Sequence, residues 1–155
     1  MTSPKFAPFV PVHIGATASV ARDQVRLRIA APAELVRAHV RPGQFVLARV
    51  GGAFADEGIF AMMSAPAEHE IVLLLRTGNP DGGEAADALS TLEVGDGLEM
   101  TPPAGDGFAL ERARHRRVFV VATGPALAPA RAALAALLAA ARSYGPRTRA
   151  HGLRR

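Results

Sequence analysis

Turn-forming residues cut the first hundred positions into short apolar stretches, and this punctuation restricts the fold more than any other feature of the chain. Pro42-Gly43, Asn79-Pro80-Asp81-Gly82-Gly83 and Gly105-Asp106-Gly107 combine residues that fix φ with residues that tolerate positive φ, so they mark turns or loops. Between them, residues 24–30 alternate polar and apolar with period two, the pattern of a half-buried strand. Residues 44–50 and 58–63 are further strand candidates, and Gly95-Asp96 is a turn leading into another strand. Residues 71–75 are continuously apolar, which suits a strand covered on both faces. One helix interrupts the series: residues 84–92 place Ala85, Ala88, Leu89 and Leu92 on one face. Short strands at this spacing predict a mainly β fold, a small antiparallel barrel.

The character changes after Gly107. Residues 108–117 form a charged connector, and residues 117–122 are β-branched and apolar. Thr123-Gly124-Pro125 follows at once, then an alanine-rich helix over 128–142 whose Leu134, Leu137 and Leu138 share a face. A buried strand, a tight turn and a helix open a doubly wound α/β domain. Such a domain needs roughly five parallel strands, and only 31 residues follow Gly124 in the 155-residue chain. The sequence therefore predicts a truncated βα unit. An unpaired strand edge and apolar helix face in that unit would invite association, either with another protein or with a second copy through residues 117–142.

Composition narrows the chemistry. Hydrophobic residues make up 49% of the chain and charged residues 21%, which suits a folded globular protein. Without cysteine there are no disulfides, thiolate nucleophiles or iron–sulfur ligands, and a cytoplasmic location is expected. The formal charge of +4 concentrates in residues 112–117 and the tail 142–155, away from the phenylalanines, so no nucleic-acid surface is expected. Residues 118–141 are broken by Gly124, Pro125, Pro129 and Arg131, and no membrane span is expected. The five histidines, His13, His39, His69, His115 and His151, lack metal-ligand spacing.

The ordered set Pro42-Gly43-Gln44-Phe45-Val46, Phe60-Ala61-Met62-Met63-Ser64-Ala65-Pro66, Gly82-Gly83-Glu84-Ala85-Ala86, Gly95-Asp96, Pro103-Ala104-Gly105-Asp106-Gly107-Phe108 and Val118-Phe119-Val120-Val121-Ala122-Thr123-Gly124 resembles the ferredoxin–NADP reductase family. The resemblance covers residues 12–142. It implies a six-stranded antiparallel Greek-key barrel that binds FAD, over residues 1–110. Residues 111–155 would then hold a linker, the start of a nucleotide-binding α/β domain and a basic tail. The implied function is that of a flavin-binding reductase-type domain in NAD(P)H-linked electron transfer, served by a redox partner protein. The alternative is a non-catalytic barrel kept as a structural or interaction subunit.

The resemblance also assigns positions. Anchoring on Ser64-Ala65-Pro66 puts Gly58 where the family has an arginine for flavin phosphate, Phe60 where a tyrosine stacks on the isoalloxazine, and Ala61 where a serine reaches N5. Phe60 can still stack, and Ala61 keeps its backbone N–H. Met62 and Met63 divide between core and flavin-side wall, with Ser64 beside them. Gly82, Gly83, Glu84, Ala85 and Ala86 match the glycine-rich helix start that receives pyrophosphate. Glu84 adds an opposing charge there, and Arg76 is the cation able to compensate. Thr123 and Gly124 open the nucleotide-domain turn, in which Pro125 and Ala126 replace a threonine and a glycine. A Cβ at 126 crowds a dinucleotide, so direct use of NAD(P)H by this chain alone is not expected.

Overall fold

The alternation in residues 24–30 becomes strand β2 (Gln24–Ala30), with Leu27 and Ile29 buried and Arg26 and Arg28 exposed. The computed structural model describes residues 8–52, 55–78 and 83–140. Its other strands are β1 (Val10–Ala21), β3 (Phe45–Arg49), β4 (Gly58–Ala61), β5 (Ile71–Arg76) and β6 (Gly97–Met100). Every ladder is antiparallel, and the strands lie side by side in the order β4-β3-β6-β1-β2-β5. That interleaving of β6 between β3 and β1 is a Greek-key arrangement.

The two ends of the sheet meet. Met62 and Leu73 form an antiparallel bridge, and the Met63 N–H donates to the Val72 carbonyl at 2.7 Å. Ser64 reinforces the junction: its Oγ accepts the Val72 N–H at 3.1 Å, with the serine fully buried. An exposed strand edge is thereby turned into a closed barrel. β1 makes closure possible by pairing with β6 over Val10 to His13 and with β2 over His13 to Ala21, with a register shift beside Gly15 where it bends between them.

One core fills the barrel. Val12, Ile14, Leu27, Ile29, Val46, Ala48, Ile71, Leu73, Leu75, Leu98 and Met100 point inward, and Met62, Leu35 and Leu89 complete the cluster. All of Ile71 to Leu75 is buried, as the continuous apolar run predicted. Ile71, Leu73 and Leu75 enter the core, while Val72 and Leu74 belong to the outer face. The short turn Gly124–Ala126 packs against β5 on that outer side.

Among the described residues three α-helices accompany the strands. α1 (Ala33–Ala38) was not legible in the sequence; it starts after Pro32 and buries Leu35. α2 (Glu84–Ser90) buries Ala85, Ala86 and Leu89, while Ala88, expected on the buried face, is exposed. Leu92 lies past the helix and packs against the core from outside. α3 (Leu127–Ala139) buries Ala128, Ala132, Ala133 and Leu137. Its small residues, rather than a leucine stripe, form the contact face: Leu138 is exposed and Leu134 only half-buried.

The segment 117–122 departs from expectation. It forms no strand, because no strand lies beside it among the described residues to complete a ladder. Phe119 and Val121 are 86% and 91% exposed. The basic tail 142–155 and the turn residues Asn79 to Gly82 lie outside the described residues. No described helix is long and apolar enough to cross a membrane.

Candidate functional site

Beyond the Met62–Leu73 bridge no ladder joins β4 to β5 among the described residues, and a groove of about 500 Å³ is lined by both strands. Ile59, Phe60 and Ala61 form one bank, Leu74 and Arg76 the other, and Ala86 of α2 closes one end. Pro125, Ala126 and Pro129, from the turn before α3 and its first residues, roof it. Gly43 and Phe108 shape the remaining end. Gly43 has φ +87°, and a Cβ there would stand 2.8 Å from the Phe108 ring, so only glycine fits.

Ladder geometry leaves a donor at this groove. The Met62 N–H donates to the Gln44 carbonyl at 3.1 Å, which makes residues 44 and 62 a hydrogen-bonded pair. Phe45 and Ala61, the next pair, are then non-hydrogen-bonded, so the Ala61 N–H points away from β3. Gln44 is buried and holds the turn in place: its side chain accepts the Val40 and Arg41 N–H groups and donates to the Gly105 carbonyl.

Phe60 is turned back along its own strand. A Cβ built at Gly58 would stand 2.5 Å from Cε2 of the Phe60 ring and 3.1 Å from Cβ of Ala85. The ring thus occupies the space above Gly58, where a longer side chain at 58 would leave the strand. Arg76 lines the groove with its Nε donating to Asp23 at 3.0 Å, an exposed pair that holds the guanidinium weakly. Ala85 and Ala86 are buried, Glu84 is exposed, and Gly83, with φ +72°, precedes α2 without a side-chain cap. Gly82 lies outside the described residues.

The other expected site residues sit elsewhere. Met62 is a core residue and Ser64 a buried fastener of the β4–β5 junction. Met63 lines a second cavity with Arg26, Arg28 and Arg131. Thr123 is exposed, and neither it nor Gly124 reaches the groove, although the next two residues do. The structure therefore gathers Phe60, Ala61, Arg76 and Ala86. Leu74 and Pro129 join them without having been singled out from the sequence, because their role depends on which strands and helix converge.

The roof is fastened by a small polar cluster. Arg131 of α3 pairs with Glu68 and donates to the Met63 carbonyl at 3.3 Å. Glu68 also accepts the Ala65 N–H at 2.6 Å, and its carboxyl lies below the ordinary value chiefly because of the Arg131 hydrogen bond. His39 is buried close by, and neither imidazole nitrogen has a hydrogen-bond partner among the described residues. Burial lowers its pKa, opposed in part by the Arg41 backbone and the Glu68 charge.

No family model matches the chain, and no curated protein is similar to it in sequence. Solved structures resemble it in fold. A phthalate dioxygenase reductase, described as a modular structure for electron transfer from pyridine nucleotides to [2Fe-2S], superposes with TM-score 0.68 at 18% identity, over 85% of this chain and 40% of that one. A ferredoxin–NADP+ reductase from Plasmodium falciparum with 2'P-AMP gives 0.66 at 13%, over 84% and 53%. One from Neisseria gonorrhoeae with bound FAD and NADP gives 0.51 at 16%, over 64% and 39%. The chain has the fold of ferredoxin–NADP reductase-like FAD-binding domains. It spans about two fifths to one half of the length of these solved structures.

Two outcomes are expected. Gly58→Ala will displace the Phe60 ring at a cost of about 1 kcal/mol, low for overpacking because the far edge of a rotatable ring yields rather than backbone. In a Phe60→Ala background the same change will be near neutral, and equal costs in both backgrounds, measured by urea unfolding, would contradict the packing described. The second outcome concerns acid. His39 and Glu68 both have lowered folded pKa values, so the folded state binds fewer protons than the unfolded chain. The His39 contribution is complete above its ordinary value of 6.5 and is lost as pH falls below it; the Glu68 contribution is lost further down, below 4.5. Melting temperature will therefore decline below about pH 6.5, and His39→Gln will remove the upper part of that decline. An unchanged curve in the variant would refute the assignment.

Proposed function

We propose that this chain is a flavin-binding reductase-type domain of an NAD(P)H-linked electron-transfer system, taking the isoalloxazine of FAD in the β4–β5 groove. One observation carries the reading: an apolar slot with an aromatic ring on one bank, and with the Ala61 N–H turned away from β3 beside it, faces the turn that precedes α3. At about 500 Å³ it has the size of a small-molecule site and accepts a planar ring system. The residues thus fit the ring of the flavin better than its charged tail.

Bound FAD would supply hydride and single-electron acceptance. The chain's own residues would bind and orient it. Phe60 would stack against the ring after leaving Gly58, the Ala61 N–H would be available as a donor to it, and Leu74 and Pro129, which line the groove, would exclude water. Arg76 can leave the exposed Asp23 for a phosphate, near Gly82, Gly83 and Glu84 at the start of α2. Met62 and Ser64 support this bank from within, and Met63 and Ala85 flank it. Thr123 and Gly124 position the roofing turn. Without a guanidinium at 58 or a hydroxyl at 61, binding is loose.

In this reading residues 1–110 are the flavin barrel, and residues 111–155 the linker, the opening of a nucleotide-binding unit and a basic tail. The setting is cytoplasmic and the electron partner is another protein. Titration of FAD with the purified chain is expected to quench flavin fluorescence saturably, with Phe60→Ala weakening the affinity about three- to tenfold, the worth of one aromatic contact. No saturable quenching at protein concentrations of tens of micromolar would end the proposal.

A second reading has its own observation. Phe119 and Val121 stand 86% and 91% exposed beside a cavity of about 770 Å³ that includes Ala133 and Leu137. Such an apolar surface suits an interaction subunit, joined to a partner protein or a second copy through residues 117–142. Sedimentation is expected to show self-association that Phe119→Asp abolishes; a monomer at every concentration would exclude the second copy.

A further inference from the structure

The second cavity, about 340 Å³, lies further along the outer face of β5 than the flavin groove, beside Val72 instead of Leu74 and Arg76. Arg26 and Arg28 of β2 reach it from one side and Arg131 of α3 from another. Across the ladder, Arg28 faces Ala16 and Arg26 faces Ala18, so the neighbouring strand offers only small side chains and leaves a trough beside the guanidinium groups. Met63 and Val72 add apolar surface.

The charge in this trough is only partly compensated. Arg131 is already paired with Glu68. Arg26 and Arg28 form no ion pair among the described residues, whereas Arg37, Arg41, Arg49 and Arg76 do. Glu70 is the one carboxylate lining the cavity, which leaves three positive charges against two negative ones when Glu68 is included. Guanidinium groups from two elements, converging on a partly apolar hollow, match an oxyanion that accepts forked hydrogen bonds. The hollow is near the lower limit for ligand sites, so the ligand is small.

We propose that the trough formed by Arg26, Arg28 and Arg131 binds a small phosphate-bearing ligand, independently of the flavin groove. Free phosphate and a phosphate monoester share the chemistry, and they can be told apart by probe. Calorimetric titration with inorganic phosphate and with ribose 5-phosphate, at matched ionic strength in chloride, is expected to give saturable binding for at least one. Tighter binding of the ester would identify the organic body as part of the ligand, and equal binding would identify the phosphate group alone. Arg28→Gln and Arg26→Gln should each weaken it about tenfold, because both side chains are exposed and removable without disturbing the core. Arg112→Gln, on the connector, should leave it unchanged, and melting temperatures will verify that all three variants fold. Absence of saturable binding to either probe, or equal affinity in the Arg28→Gln and Arg112→Gln variants, overturns the proposal. Flavin quenching measured on the same variants keeps this outcome separate from that of the flavin reading.

Discussion

The short junction where β4 meets β5 is what the rest of the molecule depends on. It consists of the Met62–Leu73 bridge, which includes the bond from the Met63 N–H to the Val72 carbonyl, and the bond from the Val72 N–H to the Ser64 hydroxyl. These two bonds satisfy both backbone polar groups of Val72, which is 8% exposed and would be costly to leave unpaired. With the junction made, the sheet has no loose ends there, the core is enclosed, and the groove lies where the pairing of β4 with β5 stops.

Both cavities use the same strand in different ways. Leu74 and Arg76 of β5 serve the groove, and Val72 serves the arginine-lined trough. α3 spans both, with Pro129 over the first and Arg131 at the second. A helix with a face of alanines can lie close to a barrel wall, and its one arginine then supplies the polar attachment. The groove's polar inventory is sparse by comparison: a strand N–H at Ala61 and a guanidinium shared with Asp23.

Much of the barrel was legible because turn chemistry and two-residue periodicity are local signals. β2, β3, β4, β5 and α2 appear within a residue or two of the expected bounds. α1 was missed because Pro32 and a six-residue length give little periodicity to read. Ala88 and Leu138 were assigned to buried faces from spacing alone, whereas the faces actually covered were decided by which neighbour came close. The segment 117–122 has strand composition, but a strand also needs a neighbour, which composition cannot reveal. Of the positions marked by motif order, Phe60, Ala61, Arg76 and Ala86 line one groove. The role of Ser64 was not legible, because its hydroxyl bonds the backbone of a strand eight residues away.

The ring of Phe60 resting over Gly58 also limits the routes by which such a sequence can drift. Any side chain gained at 58 meets the ring before it meets solvent or ligand. Placing a cation there therefore requires an earlier or simultaneous change at 60, whether a smaller residue or a different rotamer. Substitutions at the two positions are coupled in order as well as in energy.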